Sequence, residues 1–142
     1  MSHRVAAKNF VWDSRRGIAT ARVLTQLGFD HGVSVDAMLR QTGITRSHLD
    51  DPDAEVEARQ EVALIRNLIS ELPHIPTLGL MAGTRYHVTT YGVWGYALLS
   101  SPTLGDAMGM VSRLLNQTFA LTANSLEQVS QQVHVTYHSE HL

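Results

Sequence analysis

Between Leu104 and Leu115 the apolar residues Leu104, Ala107, Met108, Val111, Leu114 and Leu115 recur at three- and four-residue intervals, the period of a helix that buries one face. The start of that helix is marked. Thr103 stands at the N-cap position, Asp106 answers it three residues on as a variant capping box, and Pro102 keeps any earlier helix from running through. The same period predicts a helix from about Arg16 to Leu27, with Thr20, Val23, Leu24 and Leu27 on one face and Gly28 as its stop. Ser34 caps a second helix carrying Val35, Met38 and Leu39, ended by Gly43 with Ile44 making the hydrophobic contact beyond it. Thr45 caps a short turn through Leu49, and the run Asp50 to Asp53 breaks the chain. The longest helix is predicted over Val56 to Leu72, its buried stripe being Ala58, Val62, Ile65, Ile69 and Leu72.

Past Pro73 and Pro76 the pattern predicts a short helix from Leu78 to Ala82 ending at Gly83, an extended piece from Tyr86 to Thr90, and an aromatic, glycine-spaced helix up to the Ser100-Ser101-Pro102-Thr103 break. Beyond Gln117 the period changes. Phe119, Leu121 and Ala123 share one side, Asn124-Ser125 supplies a turn, and Val133, Val135 and Tyr137 alternate with His134, Thr136 and His138, as in a strand pair. The fold class is therefore α+β, a helix-rich N-terminal part packed with a small antiparallel sheet near the C-terminus. Residues 1–14 lack periodicity and read as a loose lead-in, leaving 15–142 as one domain.

Composition narrows the function classes. The chain has 142 residues, 44% of them hydrophobic, enough for one sizeable core, and no cysteine, which removes disulfides, thiolate metal sites and cysteine nucleophiles. No run approaches the ~20 apolar residues of a membrane span, and the charged start does not resemble a signal peptide, so the expected setting is cytoplasmic with no membrane partner. Net charge is −2, with one lysine and ten arginines spread along the chain, a poor electrostatic footprint for DNA. Arg4, Lys8, Arg15, Arg16 and Arg22 crowd the first 22 positions, where a solvated helix and tail is favoured over a functional basic patch.

Residue spacing bears on several chemistries. Residues 34–49 imitate a helix-turn-helix, but Asp50, Asp51 and Pro52 end the second helix after about one turn and put negative charge where phosphates would come, so packing is favoured over DNA contact. His134, His138 and His141 suggest a metal cluster, yet along a strand the first two lie about 13 Å apart, too far to share one ion. Ser100-Ser101 lacks a nucleophile elbow, and Gly79 to Gly83 lacks the lysine of a phosphate loop. No catalytic residue, metal or cofactor is expected. Gly105, Gly109 and Ser112 form a small-residue strip whose glycines cost ~1 kcal/mol each against alanine, which suggests close approach of another segment. Tyr86, His87, Tyr91, Trp94 and Tyr96 fall within eleven residues of a chain only 6% aromatic, and with Arg85 beside them they are the candidate ligand contacts, against the alternative of core packing. Arg85 suits an effector carboxylate or an internal acidic partner equally.

The run from Tyr91 through Leu104, with Ala107 following, resembles the signature of the helix-rich N-terminal domain in one branch of AraC-type transcription regulators. Leu39 to Ile44, Leu49 to Ala54 with Val56, Arg66-Asn67, and Leu78 to Leu80 with Gly83 occur in the order that family shows, so the resemblance covers roughly residue 15 to the end. It implies an arabinose-binding-like, effector-sensing and dimerising domain without catalysis, a homodimer with a small-molecule effector, and DNA contact only through a separate C-terminal module with paired helix-turn-helix elements. The chain stops at Leu142 before any such module, as a truncated piece or isolated domain would. Two alternatives stay open: an unrelated binding domain or enzyme sharing the helical pattern, and direct DNA binding through residues 34–49.

Overall fold

The structure is a computed structural model that describes residues 15–114, 123–129 and 132–138. These divide into two compact units, one with the described residues up to Gly95 and one with those from Tyr96 onward. The class is α+β with helices dominating.

The first unit opens with an element the hydrophobic pattern did not predict. Strand β1 (Arg15–Gly17) pairs antiparallel with β2 (Glu55–Glu57), placing Arg16 opposite Val56. Three-residue strands are too short to display alternation, so Arg16 belongs to a strand and not to the first helix. Helix α1 spans Ala19–Asp30 and passes through Gly28. Its stop is Gly32 at φ +82°, where the Gly32 and Val33 N–H groups donate to the Phe29 and Gly28 carbonyls at 2.9 and 3.0 Å in a Schellman motif. Gly28 serves packing instead: a Cβ there would stand 2.0 Å from Met38 Sδ, so the bare backbone lets Met38 into the core.

Helix α2 (Val35–Leu39) is capped by Ser34, whose Oγ accepts from the Ala37 N–H at 3.2 Å. It ends well before Gly43, though Ile44 is buried as expected. Helix α3 (Arg46–Asp50) carries a capping box in which Thr45 and His48 bond each other's backbone N–H. Helix α4 (Ala58–Glu71) starts two residues later than predicted because Val56 lies in β2. Its buried face also differs from the predicted stripe: Ile69 is 55% exposed, whereas Leu64 and Leu68 are core residues at 0% and 2%. The cause is Glu61, buried on that same face, whose charge disguises the true stripe. Ile18, Leu24, Leu27, Met38, Leu64, Leu68 and Leu72 form the core between α1, α2 and α4.

Helix α5 (Leu78–Arg85) runs past Gly83. The predicted extended piece is extended only at Tyr86 and His87, after which Val88–Tyr91 forms a 3₁₀ turn that Gly92 ends at φ +56°. Helix α6 (Val93–Leu99) follows.

In the second unit, helix α7 (Leu104–Leu114) begins where predicted. The Asp106 N–H donates to Thr103 Oγ1 at 3.1 Å, and that hydroxyl donates to the Asp106 carboxylate at 2.7 Å, so aspartate answers the cap through the side chain. Replacing Thr103 with alanine is expected to cost about 1 kcal/mol in the unfolding free energy measured by urea denaturation. Strand β3 (Ala123–Val129) pairs antiparallel with β4 (Gln132–His138) in a register that matches Asn124 with Tyr137 and Ser125 with Thr136. Asn124-Ser125 is thus strand, not turn; the reversal comes after Val129, which pairs with Gln132. Turn-forming residues carry a preference that pairing across seven residues outweighs. Phe119 and Leu121, expected on this sheet, lie outside the described residues. Of the small-residue strip, the Ser112 side chain lies outside the described residues. A Cβ at Gly105 would meet only Thr103 Oγ1, at 3.7 Å, and one at Gly109 would meet nothing within 4 Å among the described residues.

Candidate functional site

Arg85 ends α5 and reaches back to the end of α1, where its guanidinium donates to Asp30 at 2.5 Å. The internal acidic partner therefore exists. Asp30 also accepts from Gln26 at 2.7 Å, and the hydrogen bonds from Arg85 first and Gln26 second hold its carboxyl below the ordinary value of 3.8. A depressed carboxyl contributes stability above that ordinary value and loses it as pH falls through the lower folded value. Replacing Arg85 with methionine is expected to raise the Asp30 titration midpoint toward 3.8, as followed by side-chain carbonyl NMR.

Tyr86 is half-buried and packs against the core, whereas His87 is exposed. The His87 N–H donates to Thr90 Oγ1 at 3.2 Å, and the Thr90 N–H returns a bond to the His87 carbonyl at 2.9 Å, which fixes the 3₁₀ turn. The turn folds onto α6 at one point. A Cβ on Gly95 would fall 1.9 Å from the Val88 carbonyl oxygen, so this is the glycine of the segment that close approach requires. Tyr96 is 66% exposed and belongs to the second unit, and the side chains of Tyr91 and Trp94 lie outside the described set. Of the six candidate contacts, Arg85 and Tyr86 are engaged within the first unit, and His87 and Tyr96 face solvent.

Spacing alone did not reveal two further features. The first is a buried ion pair: Arg16 Nη1 meets Glu61 Oε2 at 3.0 Å, with side chains only 5% and 2% exposed, joining β1 to α4. Burial pushes the Glu61 carboxyl above its ordinary value, and Arg16 pulls it part of the way back. Since Arg15 also pairs, with Glu55 at 3.4 Å, the basic run near the N-terminus is drawn into the fold at these two positions. The second is an open groove of about 430 Å³ between residues 41–43 and the start of α4, lined by Gln41, Thr42, Gly43, Glu57, Arg59, Gln60 and Ala63.

Other motifs settle into local roles. Ser100 Oγ and Ser101 Oγ donate to the Tyr96 and Ala97 carbonyls at 2.5 and 3.0 Å, finishing α6. His134 and His138 lie on β4 as expected for a strand, and His141 is outside the described residues. Helix α3 has five residues; its Arg46 pairs with Asp36 at 3.0 Å and Arg40 pairs with Glu71 at 2.8 Å, so both arginines of the 34–49 segment are engaged within the fold.

Residues 32–142 match the profile of the arabinose-binding domain of AraC transcription regulators, N-terminal part. The chain belongs to that family. The match takes in α2 onward, the groove and the whole Arg85–Tyr96 segment. Among curated relatives of this AraC-type domain are uncharacterized HTH-type transcriptional regulators of Mycobacterium bovis and Mycobacterium tuberculosis, each 34% identical over 108 residues, covering 76% of this chain and 30% of the relative. The ornithine utilization regulator of Pseudomonas aeruginosa is 33% identical over 94 residues, 64% of this chain and 26% of that protein. The AraC-type domain thus spans less than a third of the length of these relatives. No solved structure matches it. These relatives are transcription regulators, not enzymes by name, and among the described residues no helix is long and apolar enough to cross a membrane.

Proposed function

We propose that this chain is the effector-sensing and dimerising part of a cytoplasmic transcription regulator whose DNA contact is made by a separate helix-turn-helix module. The observation that carries this reading is the family match over residues 32–142, together with HTH-type relatives of which the chain spans under a third. Regulation then follows from an effector that binds one arrangement of domains or subunits better than another, since a ligand shifts an equilibrium only by its differential affinity. The chain itself supplies binding and no turnover.

Two surfaces suit a second copy. In the β3–β4 sheet each strand has one partner among the described residues, leaving backbone groups on its outer edge for pairing. Gly105 and Gly109, small residues one turn apart on α7, are the second surface, where a partner backbone could approach closely. Among the described side chains of the aromatic segment His87 is exposed in the first unit and Tyr96 in the second, while Arg85 reaches an effector only by releasing Asp30. Sedimentation velocity across a micromolar series tests the dimer: twice the chain mass at tens of micromolar is expected, and a monomer throughout contradicts it. Replacing Gly109 with leucine then separates the two surfaces, because a dimer that survives points to the strand edge. A thermal-shift screen against a metabolite library tests sensing, with a concentration-dependent rise in melting temperature as the expected result.

A further inference from the structure

We propose that the groove between the Gln41–Gly43 loop and the first turn of α4 binds a small zwitterion of amino-acid type, its carboxylate on Arg59 and its ammonium on Glu57. The inference rests on the effector-sensing reading and names the place and charge pattern of the effector. Of the lining residues only Glu57 and Arg59 are charged, the rest being Gln41, Thr42, Gly43, Gln60 and Ala63. Arg59 Nε contacts the Glu57 carboxylate. A pure anion in this groove would face Glu57, and a pure cation would face Arg59. A ligand carrying both charges meets an opposite charge at each of the two residues.

The neutral lining adds hydrogen-bonding capacity. Gln60 Oε1 accepts the Glu57 N–H at 2.8 Å, which turns the Gln60 amide nitrogen toward the loop; a Cβ on Gly43 would stand 2.9 Å from that nitrogen. Gly43 is bare where the amide approaches. Among the described residues Gln60 Nε2 has no hydrogen-bond partner, so it is a donor open to a ligand oxygen. The volume of about 430 Å³ lies inside the ~300–1,000 Å³ range of small-molecule sites.

The loop is also held in an unusual conformation. Gln41 has φ +59°, the only non-glycine with positive φ among the described residues, and Gly43 has φ +74°. Such backbone persists where surrounding bonds over-determine it, and it clusters at ligand clamps. Here buried Thr42 donates through Oγ1 to the Leu39 carbonyl at 2.8 Å and accepts the Ile44 N–H at 3.0 Å. From α4, Asn67 donates to the Met38 and Arg40 carbonyls at 2.8 and 2.7 Å, and Arg40 pairs with Glu71 at 2.8 Å. One wall of the groove is thereby set before any ligand arrives.

The test is calorimetric and NMR titration of the chain with each of the twenty standard amino acids, using acetate and ethylammonium as single-charge probes. At least one amino acid is expected to bind saturably and shift the amides of residues 41–43 and 57–63, with neither single-charge probe doing so. Arg59→Met should weaken that binding at least tenfold, Arg59→Lys should restore part of it, and Arg66→Met, an exposed arginine further along α4, should leave it unchanged. Unaltered melting temperatures will show that these exposed substitutions leave the fold intact. Binding insensitive to Arg59→Met, equal binding of acetate, or no saturable binding by any amino acid overturns the proposal. A library compound that binds elsewhere sinks the groove and leaves effector sensing standing; an Arg59-dependent amino acid that never alters regulation does the reverse.

Discussion

Replacing Arg16 with methionine should destabilise the first unit by about 3–5 kcal/mol at neutral pH, because it strands the Glu61 carboxylate in the core without its counter-charge. The double variant Arg16→Met, Glu61→Leu should recover most of that loss, since a buried ion pair exchanged for packed apolar side chains is often close to neutral. The single variant also carries a pH signature. Burial already raises the Glu61 carboxyl above its ordinary value of 4.5 with Arg16 present, and removing Arg16 takes away the opposing pull. For a group whose folded value is raised, the stability it contributes is fully present below the unfolded value and is lost as pH rises through the folded one. The penalty of Arg16→Met relative to the natural chain should therefore be small near pH 4.5 and grow toward neutrality, as read from urea midpoints at a series of pH values. A penalty that is flat with pH, or a double variant as weak as the single one, contradicts the ion-pair account.

Gly95→Ala should cost about 1–3 kcal/mol in the segment that follows α5, the range for forcing an extra methyl into a packed site. On an ordinary helix the change would be favourable by up to ~1 kcal/mol. The sign reverses here because the added Cβ meets a backbone carbonyl, Val88 O, at 1.9 Å, and a main-chain group cannot rotate away as a side-chain tip can. Gly28→Ala offers the contrast. Its Cβ meets the Met38 side chain, so Met38→Ala in the same chain should relieve that clash while no side-chain truncation relieves Gly95→Ala. Hydrogen exchange of the Val88–Leu99 amides would report the Gly95 effect locally, with faster exchange expected there and unchanged exchange in α4.

What could be read from the sequence depended on how local its cause was. The start of helix α7 was legible to the residue because Pro102, Thr103 and Asp106 are its own start signals. The caps at Ser34 and Thr45 were legible for the same reason. The β1–β2 pairing was not, since it joins three-residue strands forty positions apart and its decisive contact places an arginine and a glutamate in the core. That pair also explains the misread face of α4: Ile69 took the place of Leu68 in the expected stripe because Glu61 looked like a solvent position. Gly28 and Gly32 both resemble helix stops, and only the approach of Met38 tells which one is a packing glycine. The candidate site divides the same way. The aromatic run was visible as a composition shift, whereas the groove brings residues 41–43 against 57–63, and nothing in the identity of Gln41 announces a left-handed backbone.

The function proposed for this AraC-type domain is to sense an effector and join two subunits on behalf of a DNA-reading module. The measurement that tests it most directly joins the chain to a monomeric DNA-binding module of unrelated origin and follows occupancy of paired half-sites, with and without a cell metabolite extract. The fusion should occupy paired sites far more tightly than the module alone, and a component of the extract should change that occupancy. Occupancy identical to that of the module alone, in buffer and in extract, would contradict the proposed function.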